Sequence, residues 1–357
     1  MAVPFAFCAV SLAIVWGSTL ERIKYGAYVI YAVVFASLIY PIGSHWVFGG
    51  GWLQNGETPL MPTGMQDFAG STAVHLIGAT GALAALLLLG PRKGKYGPDG
   101  KPRAIPGHSM PLVGLGVLIL FVGWFGFNAG STLGVGDVRF AEVAAVTMLG
   151  CAGGILGAFA ATLLKQRTID IGMVANGAIA GLVAITAPSG YVELWAGPPI
   201  GFVGGLIVVF GVIAIDKYID DPIGATSAHG LAGIWGTLAC GLFTAPRLAQ
   251  YNAFGNPEGG LFYSGSFQQL IAQAVGVAVA FTFVFAMSYA TFAAIKATIG
   301  LRVSEEDEDA GLDIVEHGMY GYPEQFIPQS EIGGPGIGAV PAPAGMATAT
   351  RTGEVTA

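Results

Sequence analysis

Apolar stretches long enough to cross a bilayer alternate along residues 1–300 with short connections rich in Gly, Pro and charge. They cover approximately residues 2–20, 25–43, 68–90, 110–130, 140–164, 170–189, 198–215, 223–245 and 267–295. A helix needs about 20 apolar residues to span the hydrocarbon core. The pattern therefore predicts an all-α polytopic membrane protein with nine transmembrane helices over residues 1–300. After that the pattern ends. Residues 301–324 mix acids with apolar positions and read as a cytoplasmic tail segment with docking potential. Residues 325–357 are mostly Pro, Gly, Ala and Thr and read as disordered.

Composition supports the membrane reading. The chain is 54% hydrophobic and only 10% charged, against about 25% charged in soluble domains, and its mean hydropathy is +0.66. The 56 glycines suit closely packed membrane helices. The net charge of −7 owes much to one run, Glu305–Asp309, and so describes the tail more than the body. Cys8, Cys151 and Cys240 all lie in apolar spans and imply no disulfide framework. No basic patch with interleaved aromatics suggests nucleic-acid binding.

Lys and Arg set the orientation. One set of alternate connections holds Arg22, Lys24, Arg92, Lys93, Lys95, Lys101, Arg103, Lys165, Arg167 and Lys217, and the other holds only Arg139 and Arg247. The first set is expected in the cytoplasm, which puts the N-terminus outside and the tail inside. The first span opens at residue 2 with no polar flank, basic n-region or cleavage site, so it does not read as a signal peptide. The reading that fits is a chain whose upstream helices are missing, since a lost pair preserves the parity of the topology.

Two spans carry a histidine in an uncharged setting: DFAGSTAVHLIG with His75, and ATSAHGLAG with His229. An ionisable group within a membrane span is a functional hypothesis by default. The two segments form a weak internal repeat, and they enter from opposite faces. His75 lies about 11 Å along its helix and His229 about 9 Å along its own, so both approach the midplane. Similar segments in opposite orientation suggest an inverted-repeat transporter with its site between the halves. Two other readings stay open: a packing role for each histidine, bonded to a backbone carbonyl, and a pair of axial haem ligands.

Aromatic segments sit at the outer ends of two spans. SHWVFGGGW offers Trp46, Phe48 and Trp52, and GWFGFNAGS offers Trp124, Phe125, Phe127, Asn128 and Ser131. Such residues commonly form interfacial belts. They could also form a cation–π cup in which Ser131 hydrogen-bonds the ion. Asp67 opens the third span and is expected to cap its free N–H groups. Asp220 and Asp221, before Pro222, are expected to cap the eighth span in the same way.

DFAGSTAVH, GWFGFNAGS, DDPIGATSAHG and LRVSEEDEDAGLDIVEHG, in that order, resemble the ammonium transporter family (the Amt/methylammonium permease/Rhesus superfamily) from about Phe5 to Tyr322. The resemblance implies a transporter without a cofactor, not an enzyme. The family fold has eleven membrane helices, the first ten in two inverted halves, and this chain's nine would be the third to the eleventh. It also implies a homotrimer in the plasma membrane with one pore per subunit. By position, His75 and His229 match the twin pore histidines, Phe7 and Phe127 the stacked gate, and Ser131 the vestibule hydroxyl. Phe48 stands where the family has a vestibule tryptophan, with Trp46 two residues earlier. Trp124 and Asp67 fall beside the site as structural residues.

The mechanism implied is recruitment of ammonium (or its analogue methylammonium) at Phe48, Trp46, Phe127 and Ser131. Deprotonation follows at the gate, and ammonia then passes the histidines. The acidic segment, by the same resemblance, could dock a small nitrogen-signalling protein of the PII type. The competing readings are an ammonium sensor with a transporter-like pore, a membrane haem protein and a non-functional fragment.

Overall fold

The computed structural model describes residues 2–56, 58–249 and 254–322. Helix α1 (Ala2–Ser18) is followed by a long second rod in which α2 (Tyr25–Val34) and α3 (Tyr40–Phe48) are joined by a π-helical turn, Phe35–Ile39. The short α4 (Trp52–Asn55) then leads to a second π-helical segment, Ser71–Leu76, that runs on into α5 (Ile77–Leu89). Next come α6 (Met110–Phe127), α7 (Val138–Gln166), α8 (Ile171–Thr186) and α9 (Gly197–Ile215). A third π-helical segment, Thr226–Leu231, opens α10 (Ala232–Phe243). Two single-turn helices, α11 (Pro246–Ala249) and α12 (Leu261–Ser264), precede the long α13 (Gln268–Thr298).

Every predicted span contains one of these helices. Among the described residues, six helical runs are long and apolar enough to cross a membrane, and Pro4–Ser18 and Ile171–Thr186 are shorter apolar helices. No strand forms among the described residues, and the fold is a helical membrane bundle. Helix α6 leaves Leu112, Leu115, Leu118, Ile119 and Val122 on its surface. In water such a face would be unstable, whereas in a bilayer it meets lipid or another subunit.

Small residues set how closely the rods approach. A methyl group on Gly201 of α9 would run into the carbonyl of Gly150 on α7, and one on Gly205 into that of Gly154. Gly233 of α10 likewise faces the Ser71 carbonyl, so the second histidine helix lies directly against the first histidine segment.

Three of the connections rich in Lys and Arg, those after α1, α5 and α9, converge at one end. Arg22 is fully buried, donating to the carbonyls of Gly90 (2.9 Å) and Asp220 (2.9 Å). The Asp220 carboxylate accepts from the Arg92 amide and from two nitrogens of its guanidinium at 2.8–2.9 Å. Lys95 pairs with Asp216 at 2.6 Å. Asp220 thus does not cap the eighth span as expected. Two buried arginines claim it, and Asp221 alone takes the cap, accepting from the Thr226 amide and hydroxyl at 2.7 Å.

Leu301–Ser304 belong to the membrane unit, not to the tail as composition suggests. Leu301 is buried, the Lys24 amide donates to its carbonyl, the Val303 amide donates to the Arg22 carbonyl, and Arg302 donates to Pro91. The second unit begins at Glu305 and, taken by itself, holds α14 (Glu305–Ala310) and α15 (Leu312–His317). The segment expected to be disordered, 325–357, lies outside the described residues.

Burial pushes the Asp220 carboxyl up, but the hydrogen bonds and charge of Arg92, with Arg22 behind, outweigh it and hold the group below its ordinary value. A carboxyl lowered in the folded state adds stability above its unfolded value of about 4 and loses it as pH falls through the folded one. Asp220→Asn removes the carboxylate that pairs with the buried Arg92 guanidinium and faces Arg22 at 3.9 Å, and should cost about 3 kcal/mol at neutral pH. Thermal unfolding in detergent should show this as a lower Tm, with the gap narrowing below about pH 4.

Candidate functional site

The site is built on the starts of two helices that share one design. Asp67 accepts the amides of Gly70 and Ser71 on Oδ1 (2.8 and 2.9 Å), and those of Thr72 and Ala73 on Oδ2 (2.9 and 2.8 Å). All the leading N–H groups of that helix are thereby satisfied at a carboxylate which is itself buried. Gly70 takes φ of +120°, which a side chain would resist, and a Cβ there would strike Val74. Asp221 caps Thr226 at the same offset in the other half. Both histidines then fall in π-helical turns, Ser71–Leu76 and Thr226–Leu231. A π turn inserts one extra residue and re-aims the side chains after it.

The two turns meet. His229 Nδ1 lies 3.2 Å from His75 Nδ1, with ring centroids 5.2 Å apart and planes within 21°. Such a contact holds one proton: one Nδ1 donates and the other accepts. His75 is fully buried and its Nε2 makes no hydrogen bond. Thr72 and Thr237 hydrogen-bond across the same junction at 2.6 Å. A metal ion held between two imidazole nitrogens needs them ~4 Å apart, twice a metal–imidazole bond, so the 3.2 Å between the two Nδ1 atoms leaves no place for one there.

An aromatic stack continues from the histidines. Phe127 stacks on His75 (centroids 5.3 Å, 19°) and on Phe7 (4.5 Å, 24°). Trp124 stacks on His75 at 5.4 Å and is locked by its Nε1–H donating to Thr186 Oγ1 at 2.9 Å. Beyond Phe7 opens a cavity of about 1380 Å³, lined by Phe7, Phe48, Ser131, Asp67, Tyr40 and others. Phe48 is 6.1 Å from Phe7. Ser131 Oγ donates to the Phe127 carbonyl at 2.7 Å, which leaves its lone pairs for a ligand.

His75, His229, Phe7, Phe127, Phe48, Ser131, Trp124 and Asp67 are therefore gathered into one continuous site. Trp46 is not. It packs against Phe283 (4.7 Å) and Trp52 (6.0 Å) and does not line the cavity. The helical turn that carries Phe48 to the cavity carries the residue two earlier to another face. Sequence reasoning also missed Tyr40 and Cys8 on the cavity wall, because neither stands out in an apolar, aromatic-rich span.

This architecture is an all-helical membrane bundle in which a capped histidine pair lies behind an aromatic stack. The family model of the Ammonium Transporter Family matches residues 1–322, and the chain belongs to that family. It is 43% identical over 330 residues to the ammonium transporter Amt2 of Archaeoglobus fulgidus, covering 91% of this chain and 70% of that protein. To a putative ammonium transporter of Synechocystis it is 36% identical, covering 87% of this chain and 56% of the relative. The solved structure of a Sensor Amt Protein superposes with a TM-score of 0.79 at 34% identity, over 87% of this chain and 74% of that one. These relatives bear the names of transporters and sensors, not of enzymes.

Asp67→Asn tests the cap. An amide offers one acceptor where the carboxylate offers two, and its NH₂ would face two backbone donors. The expected loss is about 3 kcal/mol, read as a lowered Tm of the purified protein. An unchanged Tm would show that the cap does not hold the segment.

Proposed function

We propose that this chain carries ammonium across a membrane as ammonia, and the observation that carries the reading is the His75–His229 contact directly behind the Phe7–Phe127 stack. Stripping water from an ammonium ion in an apolar pore is costly. The cavity offers partial replacement: the Ser131 oxygen as acceptor and the faces of Phe48 and Phe7 for cation–π attraction. Phe48 attracts a cation more weakly than an indole would, and Trp46 faces elsewhere, so recruitment rests on the phenyl rings and Ser131. Two rings stacked 4.5 Å apart leave no room for water between them. The proton passes to solvent water on the cavity side, and neutral ammonia passes the rings as they move aside.

Behind the gate, the single proton between the Nδ1 atoms fixes what the far nitrogens present. In a neutral pair one Nε2 is bare and the other carries a proton, so ammonia meets one acceptor and one donor without a fixed charge. Potassium has no proton to lose and is turned back at the rings. The basic connections joined at Arg22 and Arg92 support a cytoplasmic position for that end, with the cavity and Arg247 outside and the C-terminus within. The exposed face of α6 fits a homotrimer in the plasma membrane. The acidic segment from Glu305 fits a docking site for a PII-type regulator.

One solved relative is named a sensor, and a pore that binds ammonium without passing it would share this geometry. Uptake separates the two readings. His75→Ala removes one partner of the proton-sharing pair and should lower methylammonium uptake about tenfold, with loss of discrimination against potassium. Unchanged uptake and unchanged potassium rejection would overturn the histidine mechanism.

A further inference from the structure

Helix α13 carries neither a pore histidine nor a gate ring, yet one of its side chains reaches both histidine helices. Gln273 is fully buried. Its Oε1 accepts the Gln66 amide at 2.7 Å and the Gln269 Nε2 at 3.0 Å. Its Nε2 donates to the Gln66 carbonyl at 2.6 Å and to the Thr237 carbonyl at 2.8 Å. An amide side chain can accept two hydrogen bonds and donate two, and here all of them are made. From Leu270 to Val279, Gln273 is the only polar side chain on α13. An amide in such a stretch is unfavourable in a bilayer unless its bonds are satisfied.

Its partners belong to different halves of the site. Gln66 precedes Asp67, whose carboxylate holds the leading amides of the His75 segment. Gripping Gln66 by both its N–H and its C=O therefore fixes where that cap begins. Thr237 lies in α10, the helix that runs on from His229. Its hydroxyl meets that of Thr72, on the His75 segment, at 2.6 Å. The close approach of Gly233 to the Ser71 carbonyl sets how near the two helices lie. Packing alone lets such rods slide past one another, whereas hydrogen bonds of fixed length and direction resist sliding. A slide would lengthen and bend the contact between His75 and His229.

We infer that Gln273 is a positioning residue for the histidine pair. It ties the start of the His75 helix and the body of the His229 helix to one point on α13, and so keeps the two Nδ1 atoms in register. The inference rests on the transport reading only for what that register serves.

The test is a nitrogen-15 magnetic resonance spectrum of the purified full chain, labelled at histidine. Of the five histidines, His45, His108 and His317 are exposed, while His75 and His229 meet each other. A proton shared between two ring nitrogens produces a coupling between them. The parent chain should show that coupling. Gln273→Met keeps the length of the side chain, removes all of its hydrogen bonds and should lose the coupling. Asp220→Asn, at the other end of the bundle, should lower Tm and keep it. Coupling at parent strength in Gln273→Met would overturn the proposal. So would its absence in the parent, or its loss to the same degree in Asp220→Asn, which would tie it to stability in general. Where Gln273→Met does not fold, Gln273→Asn draws the amide back by one methylene from Gln66 and Thr237 and is read by the same outcomes. Coupling lost in Gln273→Met with methylammonium uptake equal to the parent's would leave the role of Gln273 standing and count against the histidine mechanism of transport.

Discussion

The 3.2 Å contact between His75 and His229 is the constraint to which the rest of the structure answers. Two imidazoles share one proton at that distance only if one Nδ1–H is aimed at the other Nδ1, and here the near-parallel rings turn those atoms to one another. Each ring needs a helix start to carry it there, and a helix start exposes unsatisfied amides that a membrane cannot hydrate. Asp67 takes four of those amides in one half, and Asp221 takes the Thr226 amide in the other. The π turns then aim the rings toward one another, and Gly233 lets the two segments touch. Two like helix starts are thus brought together, each carrying one histidine to the contact.

The aromatic stack depends on the same contact. Phe127 lies against His75 on one side and Phe7 on the other. Trp124, pinned by Thr186, supports the ring from beside it. Charge is kept to the ends of the bundle. Asp220, Arg92 and Arg22 close one end by joining the connections after α1, α5 and α9, and Arg247 joins Glu193 and Glu142 at the other.

Much of this was legible in the residues. The nine apolar stretches, the histidine repeat and the cap at Asp67 follow from spacing and from the cost of burying polar groups, which local sequence exposes directly. Other features were hidden for physical reasons. A π turn adds one residue to a helix without any compositional mark, so neither the aim of the histidines nor the inward position of Tyr40 could be read. Trp46 and Phe48 differ by two positions, and only the helix phase decides that Phe48 faces the cavity. Asp220 and Asp221 look alike in sequence, yet two arginines distant in the chain claim the first and leave the second to cap. Composition ended the body at residue 300, whereas backbone pairing with Arg22 and Lys24 extends it to Ser304.

The most direct test of the account is flux through the chain itself. Purified protein reconstituted in liposomes should take up methylammonium in a saturable manner, with competition by ammonium, and should pass no potassium above empty liposomes. Potassium entry at a comparable rate, or methylammonium uptake no different from that of empty liposomes, would contradict a pore that admits its substrate only after removing a proton.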